Sequence, residues 1–188
     1  MTTAREDAET NFPDDVASHK MTVIREDGLY RHLRFAKPGT CDMSFDILTW
    51  PGYLCFCGDM GDYLFARVPD MLGFFRGEKI NPSYWAEKVR AQDKASGIEE
   101  YSEAKARAWV QAQMDDGEAS ADVRERADMI DYSNGEARLY DSIESVEWSG
   151  FDGHWEASFK DYTYRYIWCC LALVWAVKEY DEQSGETK

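Results

Sequence analysis

The sequence is short of positive charge, of histidine, of paired cysteines and of long apolar runs, and each shortage excludes something. Only 21 Lys and Arg stand against 36 Asp and Glu, a formal net charge of -15 over 188 residues. A field of that sign repels phosphodiester backbones and anionic lipid headgroups, so direct nucleic-acid binding and general membrane attachment are both disfavoured. A basic partner is favoured instead, with solubility alone as the plainer account of the same charge. The three histidines, His19, His32 and His154, fall in none of the H-E-x-x-H, H-x-E or H-x-H arrangements that gather metal ligands. Five cysteines make an odd set with no scaffold spacing, and no charged-then-apolar leader opens the chain. Reduced thiols and a cytosolic protein are therefore expected. The longest apolar run, Tyr166 to Val177, is twelve residues, short of the roughly 18 to 20 that cross a bilayer.

What the chain does have is aromatic bulk and clear punctuation. Aromatic residues make up 14% of it, seven of them tryptophan, enough to build a large core or a binding hot spot. Residues 1–18 carry five acids and few large apolar groups, so a flexible acidic segment is expected there, followed by a single α+β domain over 19–182 and a disordered tail over 183–188. Between Met21 and Arg67 short β-rich runs alternate with turn signals at Asp27-Gly28, Pro38-Gly39, Pro51-Gly52 and Gly58 to Gly61. The connections are too short for crossover helices, which predicts an antiparallel sheet of four to five short strands. Beyond Val68 the period lengthens. Asn81-Pro82 opens a helix expected to reach about Lys94, Ser102 opens a second, Ser120 begins another to about Tyr132, and Ala137 to Trp148 adds one more. From Phe159 to Tyr180, Tyr164, Trp168, Leu171 and Trp175 recur at helical spacing on a stripe widened by Ile167, Cys170, Val174 and Val177. A helix apolar nearly all round belongs at the centre of a fold, here packed across the sheet.

Four constellations bear on chemistry. Cys55 and Cys57 alternate along one strand and so share a face, which makes a redox or metal role conceivable. Zinc needs two further ligands, so the preferred reading is two small buried residues on the inner face. His32 alternates with Tyr30 and Arg34, giving a cationic and aromatic strip that suits contact with a carboxylate or a phosphate, or else the ordinary solvated side of a sheet. His154, between Asp152 and Glu156, is a candidate general base or a plain loop histidine. Asp59 and Asp62 in Gly58-Asp59-Met60-Gly61-Asp62 repel phosphate and lack the spacing of a calcium loop, so a hairpin turn is expected. No cofactor and no metal are expected. The widest signal is acidic: between Ala95 and Lys160, sixteen Asp or Glu face six Lys or Arg.

The stretches "GLYRHLRFAKPGT", "FDILTWPGYLCFCGDMGDYLFARVPDMLGFFR", "INPSYWAEKVRAQDK" and "YRYIWCCLALVWAVKEYD" resemble a family of uncharacterised bacteriophage and prophage proteins, over most of the chain from about Gly28 to Asp181. The resemblance carries no catalytic residues. It implies a setting, the host bacterial cytosol, in which small acidic phage proteins often antagonise host defence. The expectation that follows is an anti-CRISPR-like inhibitor that binds a defence protein or nucleoprotein complex with a basic surface. Glu99, Glu100, Glu103, Asp115, Asp116, Glu118, Asp122, Glu125, Asp128 and Asp131 are its candidate contact residues. Two alternatives stand beside it. One is a small enzyme acting on a nucleotide or a host protein, with His32, Arg34, Asp59 and Asp62 as its pocket; the other is an accessory protein that forms a homodimer.

Overall fold

A computed structural model describes residues 3–94, 97–115, 121–133, 135–145 and 157–185. The chain is α+β, with the elements α1 (Ala4–Val16), β1 (Lys20–Asp27), β2 (Tyr30–Ala36), β3 (Phe45–Trp50), β4 (Tyr53–Gly58), β5 (Gly61–Ala66), α2 (Met71–Phe74), α3 (Pro82–Ala86), β6 (Val89–Gln92), β7 (Glu99–Tyr101), α4 (Glu103–Asp115), α5 (Ala121–Ala127), α6 (Glu136–Ser145), β8 (Lys160–Tyr162) and α7 (Tyr164–Ser184). They form two compact units, one of residues 1–98 and 162–188 and the other of Glu99–Asp161. The span 19–182, expected as a single domain, runs through both units.

In the first unit β1 to β6 make one antiparallel sheet in chain order. Its register follows from the alternation of apolar and polar residues, because a one-residue slip would turn every inward side chain outward. Leu33, Phe35, Phe45, Ile47, Leu54, Phe56, Tyr63 and Phe65 all point inward and are almost wholly buried, each aliphatic or Phe side chain contributing about 1.5–3 kcal/mol. Phe35, Phe45 and Phe56 stack across three neighbouring strands with centroids 4.8 and 4.9 Å apart. The turn between β4 and β5 needs its glycines for different reasons. Gly61 holds φ at +118°, and a Cβ on Gly58 would lie 2.5 Å from the Ser44 carbonyl oxygen.

Helix α7 covers the inner face. Its Trp168 meets Phe45 edge-on at 5.8 Å, Trp175 meets Phe35 at 5.5 Å, and Tyr166 meets Tyr63 at 5.6 Å. Thr163 caps it by accepting from the Tyr166 amide at 3.1 Å, and Gly185 ends it in the left-handed conformation. The helix begins at Tyr164 rather than Phe159, since residues 160–162 pair as a strand. The start of the chain also differs from expectation. Instead of a flexible segment, residues 4–16 form α1, opened by a Thr3–Glu6 capping box. Its Ala8, Phe12 and Val16 are buried, Phe12 lies 5.2 Å from Trp168, and Trp168 Nε1 donates to Asp15 at 2.9 Å. Three apolar residues at spacings of four sufficed to dock a helix whose other positions are mostly polar. The helix expected from Pro82 to Lys94 stops at Ala86. Residues 89–92 instead complete the sheet beside β5, the open edge outbidding a helical turn that has few apolar contacts to make.

The second unit has its own core of Ala106, Val110, Met114, Val123, Ala127, Ile130, Tyr132, Leu139, Ile143 and Phe159. Phe159 is its hub, 5.5 Å from both Trp109 and Tyr140 and only 1% exposed. Two phenols tie loops to this core: Tyr101 donates to the Tyr132 carbonyl at 2.9 Å and Tyr140 to that of Ala157 at 2.6 Å. Helix α5 ends at Ala127, five residues short of the expected Tyr132. The expected span to Trp148 is described only as far as Ser145.

Candidate functional site

Two surfaces hold the residues singled out above. The first is the outer face of the six-stranded sheet. Period-two alternation brings Arg34, Asp46, Cys57 and Asp62 into one cross-strand row, and His32, Leu48, Cys55 and Leu64 into the next. Asp46 is the centre of the polar part. It accepts from Arg34 Nη1 at 2.7 Å through one oxygen, and its other oxygen lies 2.9 Å from His32 Nε2. All three groups remain partly exposed, so the network contributes little beyond fixing side-chain direction. Asp62 accepts from the Gly58 amide at 3.2 Å within the hairpin, and Asp59 lies outside the row, with its carboxylate accepting from the Met43 amide at 3.0 Å. Their role is that of turn residues. His32, Arg34, Asp59 and Asp62 therefore do not converge in an enclosed pocket; three lie on an open sheet face and the fourth in a turn.

The cysteines correct the expectation of an inner-face pair. Leu54 and Phe56 take the inner positions of β4, and Cys55 and Cys57 are half-buried on the outer side. Their Sγ atoms are 3.2 Å apart. The hydrogen bond between them holds the Cys55 thiol below its ordinary pKa and, with burial, pushes the Cys57 thiol up. Cys169 and Cys170 are fully enclosed in α7, and burial raises both. Cys41 is exposed on a loop. Among the described residues no three His, Cys, Asp or Glu side chains are placed to hold a metal ion. His19 stacks beside Phe45 with Nε2 3.1 Å from the Met43 carbonyl, and His154 with its neighbours Asp152 and Glu156 lies outside the described residues.

The second surface is the helical unit. Glu99 and Glu100 lie on β7, Glu103 and Asp115 at the two ends of α4, Asp122 and Glu125 on α5, and Asp128 and Asp131 just beyond it, all exposed. Asp116 and Glu118 lie outside the described residues. Some of these charges are partnered: Glu103 pairs with Arg107 at 2.7 Å and Asp122 with Arg126 at 2.6 Å, each one helical turn away. Among the described residues Glu99, Glu100, Glu125 and Asp128 hold no ion pair. The segment Glu99–Asp161 contains seventeen acids against six bases, a net of -11 out of the chain's -15. On α4 the helical spacing that buries Ala106, Val110 and Met114 on one stripe is what turns Glu103 and Asp115 outward.

Sequence reasoning missed two participants. Asp46 was readable in principle, since "FDILTW" alternates as strictly as "YRHLRF" and so must turn its one acid toward the same side. A recess of about 660 Å³ lined by Arg107, Gln111, Met114, Arg124, Asp128 and Tyr132 was not, because it joins α4 to α5 and the residues after it. There the Arg107 guanidinium lies 4.1 Å over the Tyr132 ring, and Arg124 donates to the Met114 carbonyl at 2.9 Å.

Among the described residues no helix is long and apolar enough to cross a membrane. Comparison of the chain with protein-family models, with curated proteins and with solved structures gave no match.

Proposed function

We propose that the chain acts by binding, as an anti-CRISPR-like inhibitor of a bacterial defence system, with the helical unit over 99–161 laid against a basic surface that otherwise holds nucleic acid. The observation that carries this reading is the separation of charge. Most of the negative excess sits in one compact unit with its own core, and eight of the ten acids singled out are exposed there. A surface of that sign steers a basic partner into encounter and competes with phosphates for the same cations. The phage setting comes from the resemblance of the sequence, and the host cytosol comes with it. Catalysis is the weaker reading, because His32, Arg34, Asp59 and Asp62 share no enclosed recess that would exclude water from a substrate.

Affinity capture from a host lysate identifies the partner, and salt and charge variants then test the surface. The triple variant Glu99→Lys, Glu125→Lys, Asp128→Lys reverses three exposed acids that hold no ion pair among the described residues. It is expected to weaken binding at least tenfold at low ionic strength, mostly through a slower association rate, with the loss shrinking as salt rises. Equal affinity of the variant and the parent, or binding that ignores salt, removes the acidic surface from the account.

A further inference from the structure

We propose that Cys55 and Cys57 form a redox-active dithiol, closed to an intrastrand disulfide by exchange with a low-molecular-weight disulfide.

The geometry carries the proposal. Residues two apart on a strand point to the same side, and here that side is the outer one, where both cysteines are half-buried rather than enclosed. The Sγ atoms already stand 3.2 Å apart without a bond. Two strand residues separated by one are roughly 6.6 Å apart at Cα, near the upper end of the separations that disulfides span. Closure is thus feasible with a local pucker of β4, and the strained product returns readily to the dithiol when a thiol reductant is present. Leu48 and Leu64 flank Cys55 across the sheet, whereas Asp46 and Asp62 flank Cys57. Of the two acids, Asp46 is neutralised by Arg34 and held by His32. Asp62 is exposed, and its charge favours a cationic disulfide over an anionic one.

The neighbours divide the labour. Two carboxylates stand across from Cys57 and two leucines across from Cys55, so a thiolate is less opposed at Cys55, which attacks while Cys57 resolves. In the first step the Cys55 thiolate, its proton lost to water, bonds to one sulfur of the reagent and expels the other half as a thiolate. In the second, Cys57 gives up its proton and its sulfur attacks Cys55 Sγ, breaking the mixed disulfide and releasing the second half. The two protons end on the two released thiols, so one protein dithiol and one reagent disulfide become one protein disulfide and two small thiols. Cys169 and Cys170 take no part, being fully enclosed.

The test uses the full chain carrying Cys41→Ser, which removes the exposed competitor. The reduced protein is treated with cystamine and quenched in acid for intact mass and peptide mapping. The expected result is a loss of two hydrogens with no retained adduct, a Cys55–Cys57 link in one peptide, and recovery of both thiols on reduction. Adding Cys57→Ser is expected to stop the reaction at a cysteamine adduct on Cys55. Adding Cys55→Ser is expected to slow the reaction at least ~tenfold. A Cys41→Ser protein that keeps the adduct without closing, or that stays fully reduced while folded, overturns the proposal.

Discussion

Gly58 shows how little room the sheet leaves at its turn. An added methyl would meet the Ser44 carbonyl oxygen at 2.5 Å and the Phe45 Cα at 2.8 Å, both backbone-anchored. Gly58→Ala is expected to cost about 1–3 kcal/mol, seen as a lower urea midpoint with an unchanged slope. A midpoint equal to that of the parent would show that β3 and β4 separate at no cost. The stretch around this glycine was also where single residues were hardest to read. Its turns were legible, because Pro-Gly and Gly-x-x-Gly leave the backbone few choices. The face taken by Cys55 and Cys57 was not, since Leu54, Cys55, Phe56 and Cys57 are all apolar and offer no alternation to choose by. The structure decides it through the neighbouring strands, where Ile47 and Tyr63 pair with Phe56 and draw it inward.

Among the elements, α7 was the most legible and α3 the least. An unbroken stripe of Trp, Tyr, Leu and Val at helical spacing has one economical use, and the helix is buried along most of its length. Its beginning was misplaced because Phe159 looks equally apolar from either side, and only the pairing of β8 with β7 assigns it to the other core. The segment after Asn81 had the cap and proline of a real helix, yet its seventh residue onward, "KVRAQ", carries no apolar stripe to hold a second turn. Packing against the open edge of β5 won there, as tertiary context commonly does over weak propensity. Trp168 tests how much α7 matters. It touches Phe12 and Phe45 and donates to Asp15, so Trp168→Ala is expected to cost about 3–5 kcal/mol. Asp15→Asn keeps an acceptor for the indole, and about 1 kcal/mol or less is expected. Comparable losses in chemical denaturation for the two variants would assign the energy to the hydrogen bond rather than to the ring.

The division of the molecule into two units was not legible, because no linker composition marks either junction. Ile98 to Tyr101 and Lys160 to Thr163 look like ordinary strand sequence, and the long-range pairing between them exists only in the folded chain. The excess of acid within 95–160 was visible without any fold, since charge can be counted. Each unit has its own buried cluster, so each is expected to open separately. Phe159→Ala should raise amide exchange throughout residues 99–161 while leaving α7 and the central strands β2 to β5 protected. Uniform loss of protection across the chain would instead mean a single cooperative structure.

The pairing of β7 with β8 means that the chain leaves the first unit and returns to it through two adjacent strands, about 4.8 Å apart. Thr163 reinforces the same place, with its amide donating to the Ile98 carbonyl at 2.9 Å and its hydroxyl to that of Gly97 at 2.9 Å. A gap that narrow can be bridged by a two-residue turn. The acidic unit is thus a cassette, a length of chain that evolution can lengthen, recharge or exchange while the sheet and α7 keep their register. Changes in length or charge between residues 102 and 159 would leave the register of the sheet and α7 untouched.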